Sequence, residues 1–278
     1  MTVARWGQNF LINKNVAEKM VRHFLSFLPA PEKINPGEGR NILEVGPGKG
    51  ILTDLLVKYC QDNSLIKCIE LDTALFAKLE DMYRTYENVE MINADILEVN
   101  LPTLFEGNKE IYLISNVPYY ISGEFIDWVI SQFEYIKVGM LMMQKEFVVR
   151  LAAKPDTKDY SAQSVLFNYL FRLEKAFDVS PGSFSPHPKV KSTVFVFENK
   201  WEKIPIGRRV NVPDFYLFLR MCFENRRKTL LNNLERHYKS EELWKLFEIY
   251  GINPMIRAEQ VHVEDFLNIY RAHCVGTL

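Results

Sequence analysis

A chain of 278 residues with 47% apolar and 25% charged side chains can bury a large core and hold one large domain beside a small one. Its formal net charge of −1 excludes a global positive field, so any nucleic-acid footprint must be local. The cysteines, Cys60, Cys68, Cys222 and Cys274, lack zinc-like or redox spacing and read as reduced thiols of an intracellular, cytoplasmic protein; the start lacks a signal-peptide layout, and no apolar run suits a membrane span.

The first element predicted is a helix in which Val16, Met20, Phe24, Leu25 and Leu28 recur at helical spacing, with Asn13 or Asn15 as its cap. Ahead of it, in Gly7-Gln8-Asn9-Phe10-Leu11-Ile12, polar Gln8 and Asn9 sit beside apolar Phe10 and Leu11. This stretch reads either as a strap packed on the core or as a segment folded over a ligand. A loop containing Pro29, Pro31 and Pro36 leads to the short strand Asn41-Ile42-Leu43-Glu44-Val45. Gly46-Pro47-Gly48-Lys49-Gly50 and the helix Ile51 to Tyr59 follow. Strand, glycine loop and helix form the nucleotide-binding start of a doubly wound sheet, and Gly46 and Gly48 let the backbone approach a ligand closely.

The second strand, Ile66 to Ile69, ends at Glu70, which lies 20 residues past Gly50 and suits ribose hydroxyls. The tight G-x-G-x-G spacing, with Glu44 before it, fits a cofactor with ribose and no phosphate. That points to S-adenosylmethionine over NAD. After the helix Thr73 to Tyr83 and the strand Val89 to Ile92 comes Asp95. Its position leaves two readings open, an acceptor for an adenine amine or a cap for the next short helix.

The fourth strand, Ile111 to Ile114, delivers Asn116-Val117-Pro118-Tyr119. The Asn116 side-chain carbonyl and the Pro118 carbonyl are adjacent acceptors that can hold a primary amine by its two N–H groups, while Tyr119 can stack on a flat ring. That set would take a nucleobase amine with its lone pair turned outward. The competing reading is an ordinary turn at a strand's end. An amphipathic helix from Ile121 to Phe133 follows, with Phe125, Val129 and Ile130 inward. The strand Val138 to Met143 comes next, its methionines read as core filling.

Gln144-Lys145-Glu146 opens a further helix, and residues Ala162 to Leu170 carry another. A sixth strand ends at Phe177-Asp178-Val179, and Ser192 to Phe197 is the seventh. Between them, a loop stiffened by prolines presents Phe184 either as a second stacking partner for a base or as core beneath the loop. His187 has no Cys or acidic partner, so no metal is expected. After Trp201 only helices are predicted, over Val212 to Phe223, Arg226 to His237, Glu241 to Ile249 and Val263 to His273. From Arg208 to Lys239 there are eight Lys/Arg against three Asp/Glu, clustered at Arg208, Arg209, Arg226, Arg227 and Lys228. The cluster is either a phosphate-backbone contact or a solvated helix face.

In order along the chain stand G-Q-N-F-L, E-V-G-P-G-K-G, I-E-L-D, A-D, N-V-P-Y-x-I-S, L-x-x-Q-K-E, F-x-P-x-P-K-V and R-R-K-T-L. With these the chain resembles the KsgA-type ribosomal RNA adenine dimethyltransferases over essentially its full length. The resemblance implies an α/β fold: a seven-stranded Rossmann-like class I methyltransferase sheet over residues 1–200 and a small all-helical, RNA-binding domain over 205–278. It implies S-adenosylmethionine-dependent dimethylation of two adjacent adenosines near the 3′ end of small-subunit ribosomal RNA, by a monomer acting on a pre-ribosomal particle. Cofactor contacts then fall on Asn9, Leu11, Gly46, Gly48, Glu70, Asp95 and Asn116. Target-base contacts fall on Asn116, Pro118, Tyr119 and Phe184, and RNA contacts on the five basic residues. Four features depart from the family pattern: Val117 replaces Leu, Tyr120 stands where Asn is usual, Lys191 where Asp is common, and only Arg5 precedes the first motif.

Three other readings compete. A macrolide-resistance-type enzyme acting on large-subunit ribosomal RNA is disfavoured by the G-P-G loop and R-R-K-T-L. A DNA adenine methyltransferase would need a separate base-reading domain. A non-catalytic assembly or transcription factor on the same fold would be expected to lack Asn116, Glu70 or a loop glycine, and all are present.

Overall fold

The computed structural model describes residues 9–30, 39–60, 64–108 and 110–274. Arg5, Gly7, Gln8, Pro31 and Pro36, singled out in the sequence, lie outside them, as does the Cys274 side chain. The chain opens on the strand β1 (Phe10–Leu11) and the helix α1 (Lys14–Leu25). Asn13 caps that helix by accepting from the backbone N–H groups of Asn15 and Val16 at 3.1 and 3.2 Å. Ala17, Met20, Val21 and Phe24 then recur on one face, and all four are buried.

The elements β2 (Asn41–Val45), α2 (Ile51–Tyr59), β3 (Leu65–Glu70), α3 (Thr73–Tyr83), β4 (Val89–Asn93), α4 (Leu101–Leu104), β5 (Ile111–Asn116), α5 (Ser122–Ser131) and β6 (Ile136–Gln144) follow in alternation. After them come α6 (Lys145–Leu151), α7 (Ala162–Leu170), β7 (Phe171–Val179), β8 (Phe184–Ser185) and β9 (Ser192–Asn199).

Seven strands make one mixed sheet in the order β4-β3-β2-β5-β6-β9-β7. Neighbours from β4 through β6 run parallel, and β9 runs antiparallel to β6. The central strands are apolar almost throughout because helices cover both faces of a parallel sheet. Met140, Met142 and Met143 are fully buried, which bears out their reading as core filling. Gly139 has a steric reason: a Cβ there would meet the Phe197 ring of the paired strand at 2.1 Å. The strand order reverses between β2 and β5, so the loops leaving their carboxyl ends diverge and open a crevice.

By contact, the chain divides into two compact units, Met1–Val148 with Arg172–Asn199, and Val149–Phe171 with Lys200–Leu278. The second unit contains α7 and the helices α8 (Val212–Cys222), α9 (Leu230–Leu234), α10 (Ser240–Ile249) and α11 (Val263–Cys274). Its interior is aromatic: the Phe215 ring lies 5.1 Å from Tyr270 and 5.9 Å from Tyr169, both edge-on.

Three elements differ from expectation. β6 continues through Gln144, so the helix after it starts at Lys145. The helix expected over Arg226 to His237 is only Leu230–Leu234. Thr229 caps it by accepting from Asn232 N at 3.2 Å, and that leaves Arg226, Arg227 and Lys228 in the preceding turn. The antiparallel pair β1–β8, with Phe10 opposite Ser185 and Leu11 opposite Phe184, is too short to announce itself by alternation.

Candidate active site

At the end of β2 the chain turns through Gly46 and Gly48, at φ +67° and +61°, a region that L side chains rarely adopt. Gly48 also has no room for a side chain, because a Cβ there would sit 3.0 Å from the Phe10 ring. The β1 segment therefore lies directly on the glycine loop, with Lys49 Nζ 5.0 Å from the Phe10 ring centroid. The N-terminal segment packs on the core through Leu11, as the strap reading expects, and its Asn9 and Phe10 line the cavity described below.

Glu70 ends β3 almost fully buried. Its Oε2 accepts from Gly48 N and its Oε1 from Asp72 N, each at 3.0 Å. Burial pushes its pKa up against the opposing pull of those amides. Each oxygen keeps a second lone pair, as acceptance from ribose hydroxyls requires. Asp95, after β4, caps the next turn by accepting from Leu97 N at 2.9 Å, as one of its two readings expects, and lines the cavity as well.

Asn116 closes β5. Its Nδ2 donates to the Asn9 carbonyl at 3.3 Å. A backbone carbonyl only accepts, so this contact assigns the amide: the nitrogen faces Asn9 and the Oδ1 acceptor is left for a ligand. The Pro118 carbonyl accepts from Ile121 N at 3.2 Å and retains a second lone pair. The Tyr119 hydroxyl lies 2.5 Å from Ser192 Oγ, and burial pushes the phenol's pKa up.

These groups border one cavity of about 340 Å³, a size that takes a nucleoside-like molecule. Of the residues expected from sequence, Asn9, Gly46, Gly48, Glu70, Asp95, Asn116, Pro118 and Tyr119 line it. Leu11 and Phe184 do not. Successive side chains of a strand point to opposite faces, so Phe10 takes the cavity side and Leu11 is turned into the core. Phe184 has no exposed surface, packs in the same core, and offers no face on which a base could stack. The sequence reading gave no site role to Phe10, Leu71, Ile96 or Tyr120, all of which line the cavity. Burial, then the carboxylates of Asp95 and Glu70, push the Tyr120 phenol's pKa up.

Among the described residues the lining includes two carboxylates, Glu70 and Asp95, and no Lys or Arg. That donor set disfavours a pyrophosphate and suits a cationic, ribose-bearing cofactor, so the residues fit S-adenosylmethionine. Glu44 is not part of it. Its side chain is buried among α2 and β3, where Oε2 accepts from Thr53 Oγ1 at 2.7 Å and Oε1 has no hydrogen-bond partner among the described residues. Burial pushes its pKa up to about 7. Among the described residues no cluster of His, Cys, Asp or Glu could hold a metal ion, and no helix is long and apolar enough to cross a membrane.

In the helical unit the five basic residues differ among themselves. Arg209 donates to the carbonyls of Ile204 and Glu202 at 3.1 and 3.2 Å, and its guanidinium lies 5.2 Å from the Trp201 ring centroid. Arg226 donates to the Lys158 carbonyl. Arg208, Arg226, Arg227 and Lys228 are exposed, Arg226 while making that bond.

A family model described as ribosomal RNA adenine dimethylase matches residues 3–273. The ribosomal RNA small subunit methyltransferase A of Mycoplasmopsis pulmonis is 32% identical over 267 residues, covering 96% of each chain. Its namesake from Geobacter metallireducens is 36% identical over 275 residues, covering 96% of this chain and 93% of the relative. Among solved structures, a dimethyladenosine transferase from Plasmodium falciparum superposes with a TM-score of 0.74 at 23% identity, covering 96% and 98%. The 23S rRNA methyltransferase ErmE superposes with a TM-score of 0.65 at 22% identity, covering 95% and 98%. At these identities the two structures share the fold with this chain.

Proposed function

The chain belongs to the ribosomal RNA adenine dimethylase family, and we propose that it transfers methyl groups to the exocyclic amines of two adjacent adenosines near the 3′ end of small-subunit ribosomal RNA. The observation that carries the base chemistry is the Asn116 amide, whose nitrogen is held by the Asn9 carbonyl so that its oxygen is the group left to accept. An acceptor there selects an amine and rejects the carbonyl edge of guanine or uracil.

S-adenosylmethionine is the cofactor, and when bound it supplies an electrophilic methyl group on a sulfonium centre. Glu70 would hold its ribose hydroxyls, Asp95 its adenine amine, and Asn9, Gly46 and Gly48 would let the backbone close on it. The adenine amine is a poor nucleophile because its lone pair is delocalised into the ring. Accepting its two protons on Asn116 Oδ1 and the Pro118 carbonyl favours a pyramidal nitrogen with the lone pair directed outward. Tyr119 stacks on the ring, a contact worth on the order of 1–3 kcal/mol. Positioning of this kind can supply roughly 7–11 kcal/mol of the barrier. The methylated amine is acidic enough to give its proton to water, so no strong general base is required. The target adenosine must be unpaired or flipped out of its helix to enter.

Residues 1–200 carry the cofactor and the chemistry, and 205–278 carry phosphate contacts through Arg208, Arg227 and Lys228. A footprint that small on a chain of net charge −1 favours a preassembled pre-ribosomal particle over naked RNA as substrate, met by a monomer in the cytoplasm. Purified protein is incubated with methyl-labelled cofactor and, in parallel, unmethylated small-subunit particles, large-subunit particles or DNA, and digested nucleosides are resolved into mono- and dimethyladenosine. Label in dimethyladenosine of the small-subunit RNA is expected. Label confined to large-subunit particles, or to DNA, would overturn the assignment.

A further inference from the structure

Two of the sequence motifs, L-x-x-Q-K-E and the segment running from P-K-V into Ser192, have no role in the chemistry described so far. The structure brings them together. Gln144, the last residue of β6, is paired with Ser192, the first residue of β9. Next along the chain, Lys145 N donates to the Lys191 carbonyl at 2.9 Å. On the other side, Thr193 Oγ1 donates to Asp178 Oδ1 at 2.7 Å. That carboxylate is also held by Lys145 Nζ and Lys175 Nζ, each at 2.9 Å. The start of β9 is thus fastened both to the β6–α6 junction and to β7. At its centre sits Ser192, fully buried, with its Oγ 2.5 Å from the Tyr119 hydroxyl. The other end of Tyr119 is fixed as well, since Ser122 Oγ donates to the Tyr119 carbonyl at 3.0 Å.

We propose that Ser192 is a positioning residue for methyl transfer: its hydroxyl holds the Tyr119 ring at the angle the incoming base needs. This rests on the reading of Tyr119 as the ring that stacks on the target adenine. A tyrosine tethered only at its backbone turns about its side-chain torsions, and each misplaced orientation lowers the fraction of bound base that can react. A hydroxyl anchored to a buried serine, itself on a strand fixed from two sides, sets the ring before the base arrives. The Lys145–Asp178–Thr193 bonds belong to this support and do not touch the substrate.

The test compares wild type, Tyr119→Phe, Ser192→Ala and the double variant in transfer of labelled methyl to small-subunit particles. Tyr119→Phe keeps the ring and removes only the tethering oxygen. Each single change should lower kcat about tenfold, while KM for the particle shifts less than about twofold. The double variant should be no slower than Tyr119→Phe alone, because both changes delete the same bond. The product should shift toward monomethyladenosine, since the second transfer has one fewer proton to orient the amine. Single variants within about twofold of wild type would overturn the proposal. So would losses that multiply in the double variant, which mark Ser192 as a residue of general stability. If Ser192→Ala fails to fold, Tyr119→Phe decides the matter on its kcat alone. A wild-type protein that transfers no methyl would instead overturn the proposed function, so the two failures are distinct.

Discussion

The cavity rim and the basic turn of the helical unit both present polar groups, and they hold them in different ways. At the rim each functional atom has a second tether: Asn116 is held by Asn9, Glu70 by two backbone amides, and Tyr119 by Ser192. In the turn, Arg226, Arg227 and Lys228 all stand exposed, and Arg226 also donates to a carbonyl of its own unit. Methyl transfer depends on where a lone pair points, and an error of an ångström is costly. Phosphate attraction depends on charge density, which survives wide movement of a flexible side chain. Substitutions at the rim should therefore change rates and leave salt dependence alone, and substitutions in the turn should do the reverse.

The largest expected effect breaks the rim itself. Asn116→Ala should lower single-turnover methyl transfer by about 10²–10³, as removal of one oriented hydrogen-bonding group does elsewhere. RNA binding should stay intact, and near-normal rates would place the amine's partner elsewhere. Next comes the buried carboxylate beneath the loop. Burial raises the Glu44 pKa from 4.5 to about 7, so the folded state holds this proton more tightly than the unfolded chain. The stabilisation is fully present below about pH 4.5 and is lost as pH rises through about 7. Glu44→Gln should flatten that decline, by roughly 3 kcal/mol at most, in denaturant titrations across the window.

A smaller effect is expected at Glu70, where hydrogen bonds to a charged group are lost. Glu70→Ala should weaken cofactor binding about 10–100-fold by calorimetry, and unchanged affinity would remove Glu70 from the ribose site. The smallest tests the other side of the comparison. Arg227→Glu should leave methyl transfer at saturating particle and cofactor binding unaltered. It should reduce the slope of log binding constant against log salt by about one. Adding Arg226→Glu sharpens the result, because Arg226 also holds the Lys158 carbonyl. A fall in melting temperature in that double variant, absent in Arg227→Glu, would separate its structural part from its RNA part.

Much of the fold was legible because its signals are local. Apolar runs spaced by helical patterns predicted the strands and helices of the sheet unit, and Thr73–Tyr83 was placed to the residue. The glycine loop, Glu70 and Asn116 were legible for the same reason, since each sits at the end of a strand whose own composition announces it. The basic turn was misread as helix because charge and propensity alone do not show that Thr229 caps the helix after it. Other features were settled only when distant segments met. Asn9 and Asn116 are 107 positions apart, yet their contact decides which way the amide points. Tyr119 and Ser192 are 73 apart, and nothing near either one signals the bond between them. Phe184 could equally have been a stacking ring or core until β8 paired with β1 and turned its side chain inward. The sequence determined which chemical groups stand at the strand ends, because residue type and local period carry that information. Their orientation, burial and partners came from tertiary structure alone, because a hydrogen bond or a buried face depends on what the rest of the chain brings within a few ångströms.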